Sequence, residues 1–265
     1  MQFARINDVT LHHQLIGAPE GRPVLVFINS LGTDFRIWRD VIVQFAGDAA
    51  IVAYDKRGHG LSDTGTTPYA MEDHVADLAG LLDHLNVRNA VICGVSVGAM
   101  IAQGLALSRP DLVRALVLCG AVSKAGEAAV WNGRIDTVNE QGIAGLADAT
   151  MERWFTAAFR SPDNAAFSGY LNMLLRSPVE GYTATCAALR DADLTESTRA
   201  LKVPTLCIVG DQDGSTPPDL VRSTADLIDG ARFEIVEGAG HLPCIEQPEK
   251  TARLIGDFLS RSVAA

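Results

Sequence analysis

The stretch Gly94-Val95-Ser96-Val97-Gly98 follows the apolar run Ala90-Val91-Ile92-Cys93 and leads into Ala99-Met100-Ile101-Ala102. This order predicts a buried β-strand, a sharp turn and then a helix. A G-x-S-x-G turn between a strand and a helix is a nucleophile elbow, in which a strained backbone lifts a serine hydroxyl above the end of a parallel sheet. Glycine is needed two residues before and after the serine, because side chains there would collide. Ser96 is therefore a candidate nucleophile.

A serine hydroxyl needs two partners, a histidine base and a carboxylate that orients it, because it is a poor nucleophile at neutral pH. Residues 203–210 predict a buried strand, and Asp211 and Asp213 come directly after it. Arg232–Val236 predicts a further strand, and His241 lies in the loop that follows. Ligand sites of parallel α/β sheets gather at the C-terminal ends of strands, so these side chains are expected to meet the serine. The chain order Ser, Asp, His is that of a catalytic triad.

The remaining pattern is that of an α/β protein. Strand-like and helix-like segments alternate from Val24 to about Cys119 and again from residue 203 onward, which predicts a mostly parallel sheet flanked by helices. From about residue 122 to 200 the strand pattern stops and Ala-rich helical segments replace it. We expect a core of residues 1–121 and 201–265, with a helical cap of residues 122–200 that covers the site and selects the substrate.

Residues 71–85 predict a helix that packs on the core. Val75, Leu78 and Leu82 share one face of it at helical spacing. The two histidines of this segment, His74 and His84, are expected to be solvated.

Composition and charge narrow the possible partners. The formal net charge of -10 disfavours nucleic acid and anionic membranes, because no basic stripe is available to neutralise phosphates.

The five cysteines have no paired spacing and are expected to be reduced core thiols of a cytoplasmic protein; they are Cys93, Cys119, Cys186, Cys207 and Cys244. The N-terminal residues lack the apolar segment of a signal peptide. No His, Cys and carboxylate cluster has the spacing of metal ligands.

Several stretches resemble the α/β-hydrolase family over nearly the whole chain. They include the elbow, the run Val24–Ile28, and Asp55-Lys56-Arg57-Gly58-His59-Gly60-Leu61-Ser62, which is similar to the D-x-R-G-H-G-x-S loop of that family. The resemblance implies the α/β-hydrolase fold. In this family the acid commonly stands three residues after the glycine that ends its strand, which favours Asp213 over Asp211 as the triad acid. Asp211 would then be a capping or supporting residue.

The turn after the first of these strands supplies one oxyanion donor in the family. It reads Asn29-Ser30-Leu31-Gly32-Thr33 here, where most relatives have His-Gly. The resemblance implies that the backbone amides of Leu31 and Val97 form the oxyanion hole. A shift of the turn by one residue would put Ser30 or Gly32 in place of Leu31.

The Asn-Ser-Leu-Gly turn followed by Trp38 resembles one subfamily, the 3-oxoadipate enol-lactonases of bacterial aromatic catabolism. The similarity continues through the elbow, residues 118–121 and residues 238–248. It implies a serine hydrolase that opens 3-oxoadipate enol-lactone to 3-oxoadipate, with no metal or organic cofactor.

A lactone of a dicarboxylic acid keeps one free carboxylate, so its pocket needs a cation several ångströms from the serine. Arg134 beside Trp131 is the first candidate, because the rigid fork of arginine fits a carboxylate. The alternative cations are Arg160, Lys124 and Arg190. Trp131, Trp154 and Ser30 complete the expected substrate-binding set.

Other functions remain open on the sequence. Another esterase, lactonase or carbon–carbon bond hydrolase would use the same triad and differ only in its cap. A cofactor-free haloperoxidase-like enzyme would also share the triad. A small-molecule receptor would have the fold without turnover, and loss of activated-ester hydrolysis in Ser96→Ala distinguishes an enzyme from it.

Overall fold

The computed structural model describes residues 1–262. Within this range, eight strands form one sheet. The strands are β1 (Gln2–Ile6), β2 (Val9–Ile16), β3 (Val24–Ile28), β4 (Ala50–Tyr54), β5 (Ala90–Val95), β6 (Val113–Cys119), β7 (Thr205–Gly210) and β8 (Arg232–Val236). Their order across the sheet is β1-β2-β4-β3-β5-β6-β7-β8. β2 is antiparallel to β1 and β4, and all other neighbours are parallel. The predicted mostly parallel sheet is confirmed.

Helices connect and cover these strands. They are α1 (Arg39–Gln44), α2 (Met71–His84), α3 (Val97–Ser108), α4 (Ala128–Gln141), α5 (Ala147–Trp154), α6 (Ala165–Leu175), α7 (Val179–Asp191), α8 (Thr195–Arg199), α9 (Pro218–Ala225), α10 (Pro243–Glu246) and α11 (Pro248–Ser262). Helices α4 to α8 lie in the chain between β6 and β7. The division into a core and a cap of residues 122–200 stays a prediction, and the last three residues of the segment 201–265 lie outside the described residues.

The sheet sets the position of the site. Every residue of β5 and β7 is buried, because helices cover both faces of the parallel sheet. Such strands are apolar throughout. β5 lies between β3 and β6. The chain moves from β3 to one side of the sheet and returns through β5 to the other, so a topological switch point lies between these two strands. The turn after β3 and the elbow after β5 flank it.

Helices from the segment between β6 and β7 cover the turn after β3. A Cβ atom added to Gly32 would lie 2.7 Å from Leu174 Cδ1 and 3.1 Å from Tyr182 Cε2. α7 also approaches the loop after β4 closely, since a Cβ on Gly181 would overlap the carbonyl oxygen of Gly58. This end of the sheet is therefore closed over by α6 and α7.

The prediction that His74 is solvated is wrong. Its side chain is buried beneath α7, where Nε2 lies 3.4 Å from Thr185 Oγ1 and the ring meets the edge of Tyr69. The spacing of this histidine from Met71 and Leu78 places it on the buried face of α2, whereas its contact with Thr185 comes from a helix about a hundred residues away in the chain. His84 is exposed, as predicted.

The five cysteines are all buried and free, as predicted for core thiols. Among the described residues, none of the helices combines the length and the apolar character needed to cross a bilayer.

Candidate active site

Ser96 lies at the elbow between β5 and α3. Its backbone has φ 58° and ψ -118°, a region that residues other than glycine rarely adopt. The Ser96 N–H donates to the carbonyl oxygen of Cys119 at 2.8 Å, which anchors the turn to β6. The strained backbone is therefore held by the sheet, and the partly exposed serine lines a cavity.

The two elbow glycines are required by different contacts. A Cβ on Gly94 would overlap the carbonyl oxygen of Gly98, which is the collision expected from the sequence. A Cβ on Gly98 would lie 2.7 Å from the carbonyl oxygen of Ile28. Gly98 therefore allows α3 to pack against β3, a neighbouring strand that the local sequence pattern does not reveal.

Replacement of Gly94 by alanine is expected to lower the free energy of unfolding by about 3 kcal/mol or more, because rigid backbone must move to admit the methyl group. Gly133→Ala is the matched control. Gly133 lies inside α4 and its added Cβ would meet no atom within 4 Å. That variant should be stabilised by up to about 1 kcal/mol through helix propensity. Urea denaturation followed by circular dichroism measures both, and equal effects of the two substitutions would contradict the packing described.

His241 and Asp213 form a buried acid–base pair. His241 Nδ1 lies 2.8 Å from Asp213 Oδ2. The other carboxylate oxygen accepts the N–H groups of Ser215 and Thr216, each at 2.8 Å, and Thr216 Oγ1 donates to Oδ2. The carboxylate accepts the proton on Nδ1, so Nε2 keeps its lone pair. His241 is therefore held in the tautomer that a general base needs.

Asp213 keeps its negative charge although it is buried. Burial acts to raise the pKa of Asp213, but the charge and hydrogen bond of His241 and the amides of Thr216 and Ser215 outweigh it. Its pKa lies below the ordinary value of an aspartate. The carboxylate is ionised at neutral pH and can stabilise a protonated imidazole.

The structure places Asp213, not Asp211, against His241. Asp211 is exposed, and its Oδ1 accepts the N–H groups of Gly238 at 2.8 Å and Ala239 at 3.2 Å. These bonds support the loop that leads to His241. Asp211 therefore has the geometry of a supporting residue.

The histidine loop is also tied to the segment at the end of α5. The His241 N–H donates to the carbonyl oxygen of Trp154 at 2.8 Å. Glu246 accepts the Gly240 N–H at 2.6 Å and the hydroxyl of Thr156 at 2.7 Å. Burial raises the pKa of Glu246 despite these donors. These hydrogen bonds therefore anchor the histidine loop to the segment at the end of α5.

The turn after β3 offers backbone N–H groups beside the serine. The Gly32 N–H donates to His59 Nε2 at 3.0 Å, so it is not available to a ligand. Within residues 1–262 the N–H groups of Ser30 and Leu31 have no acceptor. Val97 is the first residue of α3, and its N–H has no acceptor within the helix.

One cavity of about 220 Å³ brings most of the predicted residues together. Those lining it are Ser30, Leu31, Ser96, Val97, Trp131, Arg134, Trp154 and His241. Asp213 lies behind His241. The alternative cations do not line the cavity and have acidic partners instead; these pairs are Lys124 with Asp193, Arg160 with Glu152, and Arg190 with Asp191.

Two arginines line the cavity. Arg134 Nη1 donates to the Tyr182 hydroxyl at 2.9 Å, and the guanidinium lies 5.6 Å from the centre of the Trp131 ring. Arg153 is the other, and the sequence reasoning missed it although it adjoins Trp154 in α5. Neither arginine has a carboxylate partner among residues 1–262. The cavity is therefore suited to an anionic ligand.

Comparison with known proteins identifies the family. A family model described as the alpha/beta hydrolase fold matches residues 23–248. The chain belongs to the α/β-hydrolase family. This α/β hydrolase is 34% identical over 243 residues to 3-oxoadipate enol-lactonase 2 of Acinetobacter baylyi, covering 92% of this chain and 90% of that protein.

Two further proteins show the range of similarity. The crystal structure of the enol-lactonase from Burkholderia xenovorans LB400 has a TM-score of 0.94 and 32% identity to this α/β hydrolase, covering 98% of this chain and all of that one. The 2-hydroxymuconate semialdehyde hydrolase of Pseudomonas sp. strain CF600 is 28% identical over 272 residues, covering 96% of this chain and 91% of that protein. The predicted resemblance to enol-lactonases is confirmed, and a hydrolase named for another substrate is also similar to this chain.

Proposed function

We propose that this α/β hydrolase, a carboxylic ester hydrolase, opens 3-oxoadipate enol-lactone to 3-oxoadipate. Support for the reaction class comes from the shared cavity of Ser96 and His241 and from the family. Support for the substrate comes from similarity to two enol-lactonases and from the arginines in the cavity.

In the proposed mechanism, Ser96 attacks the lactone carbonyl carbon while His241 Nε2 accepts the hydroxyl proton. Asp213 stabilises the resulting imidazolium through Nδ1. The carbonyl oxygen becomes an oxyanion, which accepts hydrogen bonds from the N–H groups of Leu31 and Val97. Each such donor contributes about 3 to 4 kcal/mol to transition-state stabilisation. The N-terminus of α3 adds a favourable dipole at Val97.

Collapse of the intermediate breaks the ring carbon–oxygen bond and gives an acyl-enzyme whose own acyl chain carries the enolate. The enolate is a better leaving group than an alkoxide, and it takes up a proton to become a ketone. His241 can supply that proton. Water deprotonated by His241 then attacks the acyl group on Ser96, the acyl–oxygen bond breaks, and His241 returns the proton to the Ser96 oxygen as the second carboxylate is released. The helices between β6 and β7 act as a cap that limits access of bulk water to these steps.

The position of Arg134 in the cavity is the observation that most supports the proposed substrate. It lines the cavity of Ser96 and has a tyrosine hydroxyl and a tryptophan ring as neighbours, but no carboxylate among the described residues. A partly buried arginine without an acidic partner leaves N–H groups for an anionic ligand. The free carboxylate of the enol-lactone provides that anion.

Replacement of Arg134 by glutamine is expected to lower kcat/KM for the enol-lactone by about 10- to 100-fold, because a charged hydrogen bond is lost. Hydrolysis of p-nitrophenyl acetate, which has no carboxylate, should stay within about threefold of wild type. Arg190→Gln is the matched control. Arg190 lies in α7, within the same predicted cap as Arg134, but it pairs with Asp191 and does not line the cavity. Both substrates are followed by absorbance.

The kcat/KM of Arg153→Gln is measured on the same two substrates as that of Arg134→Gln. A selective loss in Arg153→Gln alone would assign the carboxylate to Arg153 and overturn the role of Arg134. Equal loss on both substrates would show damage to the site rather than loss of an anion contact. Wild-type hydrolysis of the neutral ester with no turnover of the enol-lactone would contradict the proposed substrate and leave another ester or carbon–carbon bond hydrolase as the function.

A further inference from the structure

Lys56 is a buried lysine in the loop after β4, and the mechanism above gives it no role. Its side chain is only 1% exposed, and Nζ donates a hydrogen bond of 2.6 Å to the carbonyl oxygen of Ser30. It has no ion pair among residues 1–262. Burial lowers the pKa of Lys56, and the charges of Asp55 and Asp34 oppose this shift. Burying an amino group without a carboxylate partner costs free energy. The contact of Lys56 with one backbone oxygen therefore suggests a role beyond packing.

The oxygen that Lys56 contacts belongs to the peptide group whose N–H is that of Leu31. The same oxygen accepts hydrogen bonds from Thr33 Oγ1 at 3.0 Å and from Asn29 Nδ2 at 3.2 Å. Donors at a carbonyl oxygen polarise the amide, and its N–H then becomes a stronger donor. Lys56 therefore acts on one end of a peptide group whose other end is the proposed oxyanion donor.

The next peptide group of the turn is held by the same loop. The Gly32 N–H donates to His59 Nε2 at 3.0 Å, and His59 Nδ1 lies 3.1 Å from the carbonyl oxygen of Arg57. Burial and the charge of Lys56 lower the pKa of His59 well below its usual value. The neutral ring can thus donate from Nδ1 and accept at Nε2. The Gly32 N–H is therefore occupied. The N–H groups of Ser30 and Leu31 have no acceptor among residues 1–262, and the Leu31 N–H belongs to the peptide group that Lys56 contacts.

We infer that Lys56 is a positioning residue of the oxyanion hole: it orients and polarises the peptide between Ser30 and Leu31 so that the Leu31 N–H binds the tetrahedral oxyanion strongly. The inference rests on the proposed function, because it requires acyl transfer at Ser96. A residue that acts in this way affects kcat, since the donor is strengthened for the transition state more than for the ground state. A merely structural residue would affect stability and substrate binding instead.

Lys56→Met removes the amino group and keeps the length of the side chain. With p-nitrophenyl acetate we expect kcat to fall about 10- to 100-fold and KM to stay within about twofold, somewhat less than outright loss of an oxyanion donor. Phenylboronic acid is the second probe, because its tetrahedral adduct with Ser96 places an oxygen in the oxyanion hole. Its affinity should fall by about the same factor as kcat.

Two further variants separate polarisation from general damage. Thr33→Val removes a neutral donor from the same carbonyl oxygen, and we expect kcat to fall about two- to tenfold. Arg57→Lys changes the neighbouring buried cation, whose Nε donates to Asp77 at 2.6 Å rather than to the turn. That variant should lower Tm and keep kcat within about twofold.

The inference is overturned if Lys56→Met keeps kcat and phenylboronic acid affinity within about twofold of wild type. It is also overturned if KM rises as much as kcat falls. If Lys56→Met does not fold, Thr33→Val decides, and an unchanged kcat in that variant overturns the inference. Because the ester is neutral, failure of the wild type on the enol-lactone counts only against the proposed substrate. Wild type that hydrolyses no ester at all counts against acyl transfer at Ser96.

Discussion

Replacement of Ser96 by alanine is expected to lower kcat by about 10⁶-fold on the enol-lactone and on p-nitrophenyl acetate alike. The reason is that no other hydroxyl occupies the elbow, where the backbone at φ 58° presents the side chain to the cavity beside His241. Without the hydroxyl no acyl-enzyme can form, and only the oxyanion hole and substrate binding contribute to catalysis. Substrate binding should persist, because the methyl group leaves the cavity walls unchanged.

The control is Ser108→Ala, at the exposed C-terminal end of the same helix, where the hydroxyl donates to the Gly104 carbonyl oxygen. It should have wild-type kcat. Single-turnover kinetics measures the chemical step in both variants, and product binding tests whether the cavity is intact. Mass spectrometry shows that the Ser96→Ala sample contains no residual wild-type enzyme. Retention of more than about 1% of wild-type kcat in Ser96→Ala would contradict nucleophilic catalysis by this residue.

Replacement of Asp213 by asparagine is expected to lower kcat by about 10⁴-fold with little change in KM. An asparagine can turn its NH₂ group toward His241 Nδ1, which favours the tautomer whose Nε2 carries the proton and cannot act as a base. The neutral amide also stabilises the imidazolium less than the ionised carboxylate, whose pKa lies below the ordinary value. The fold should persist, since the side chain keeps its size.

Asp211→Asn is the matched control for this prediction. Asp211 accepts two backbone N–H groups of the loop before His241 and does not contact the imidazole. We expect a loss of about 1 kcal/mol in the free energy of unfolding, with kcat within about threefold of wild type. The opposite result, in which Asp211→Asn loses activity and Asp213→Asn keeps it, would reverse the assignment.

The sequence was most informative where local pattern and backbone geometry coincide. The apolar run before Ser96 and the glycines around it predict a strand, turn and helix, and the structure has β5, the elbow and α3 there. The order of Asp213 and His241 after further strands predicts their meeting, because parallel strands end at one edge of the sheet. The family prediction is confirmed by the match over residues 23–248.

Features that depend on distant segments could not be predicted in this way. His74 lies on the apolar face of α2 but is itself polar, so solvent is expected around it, yet α7 buries it. Gly98 is required by the carbonyl oxygen of Ile28, which belongs to another strand. Arg153 follows no motif and reaches the cavity through the placement of α5. Each of these contacts joins segments whose separation in the chain hides the relation.

The register of the oxyanion turn was open in the sequence for a similar reason. The resemblance favours Leu31, and a turn shifted by one residue would put Ser30 or Gly32 in its place. His59 then takes the Gly32 N–H, and Lys56 takes the Ser30 carbonyl oxygen. Long side chains from a different loop thus occupy the Gly32 N–H and contact the peptide group that carries the Leu31 N–H.

The most direct test of the proposed function is kcat/KM of the purified protein on 3-oxoadipate enol-lactone, measured beside p-nitrophenyl acetate with identification of the product. We expect efficient conversion to 3-oxoadipate, a strong preference for the lactone over the neutral ester, and loss of both activities in Ser96→Ala. Hydrolysis of the neutral ester with no conversion of the lactone would contradict the proposed function.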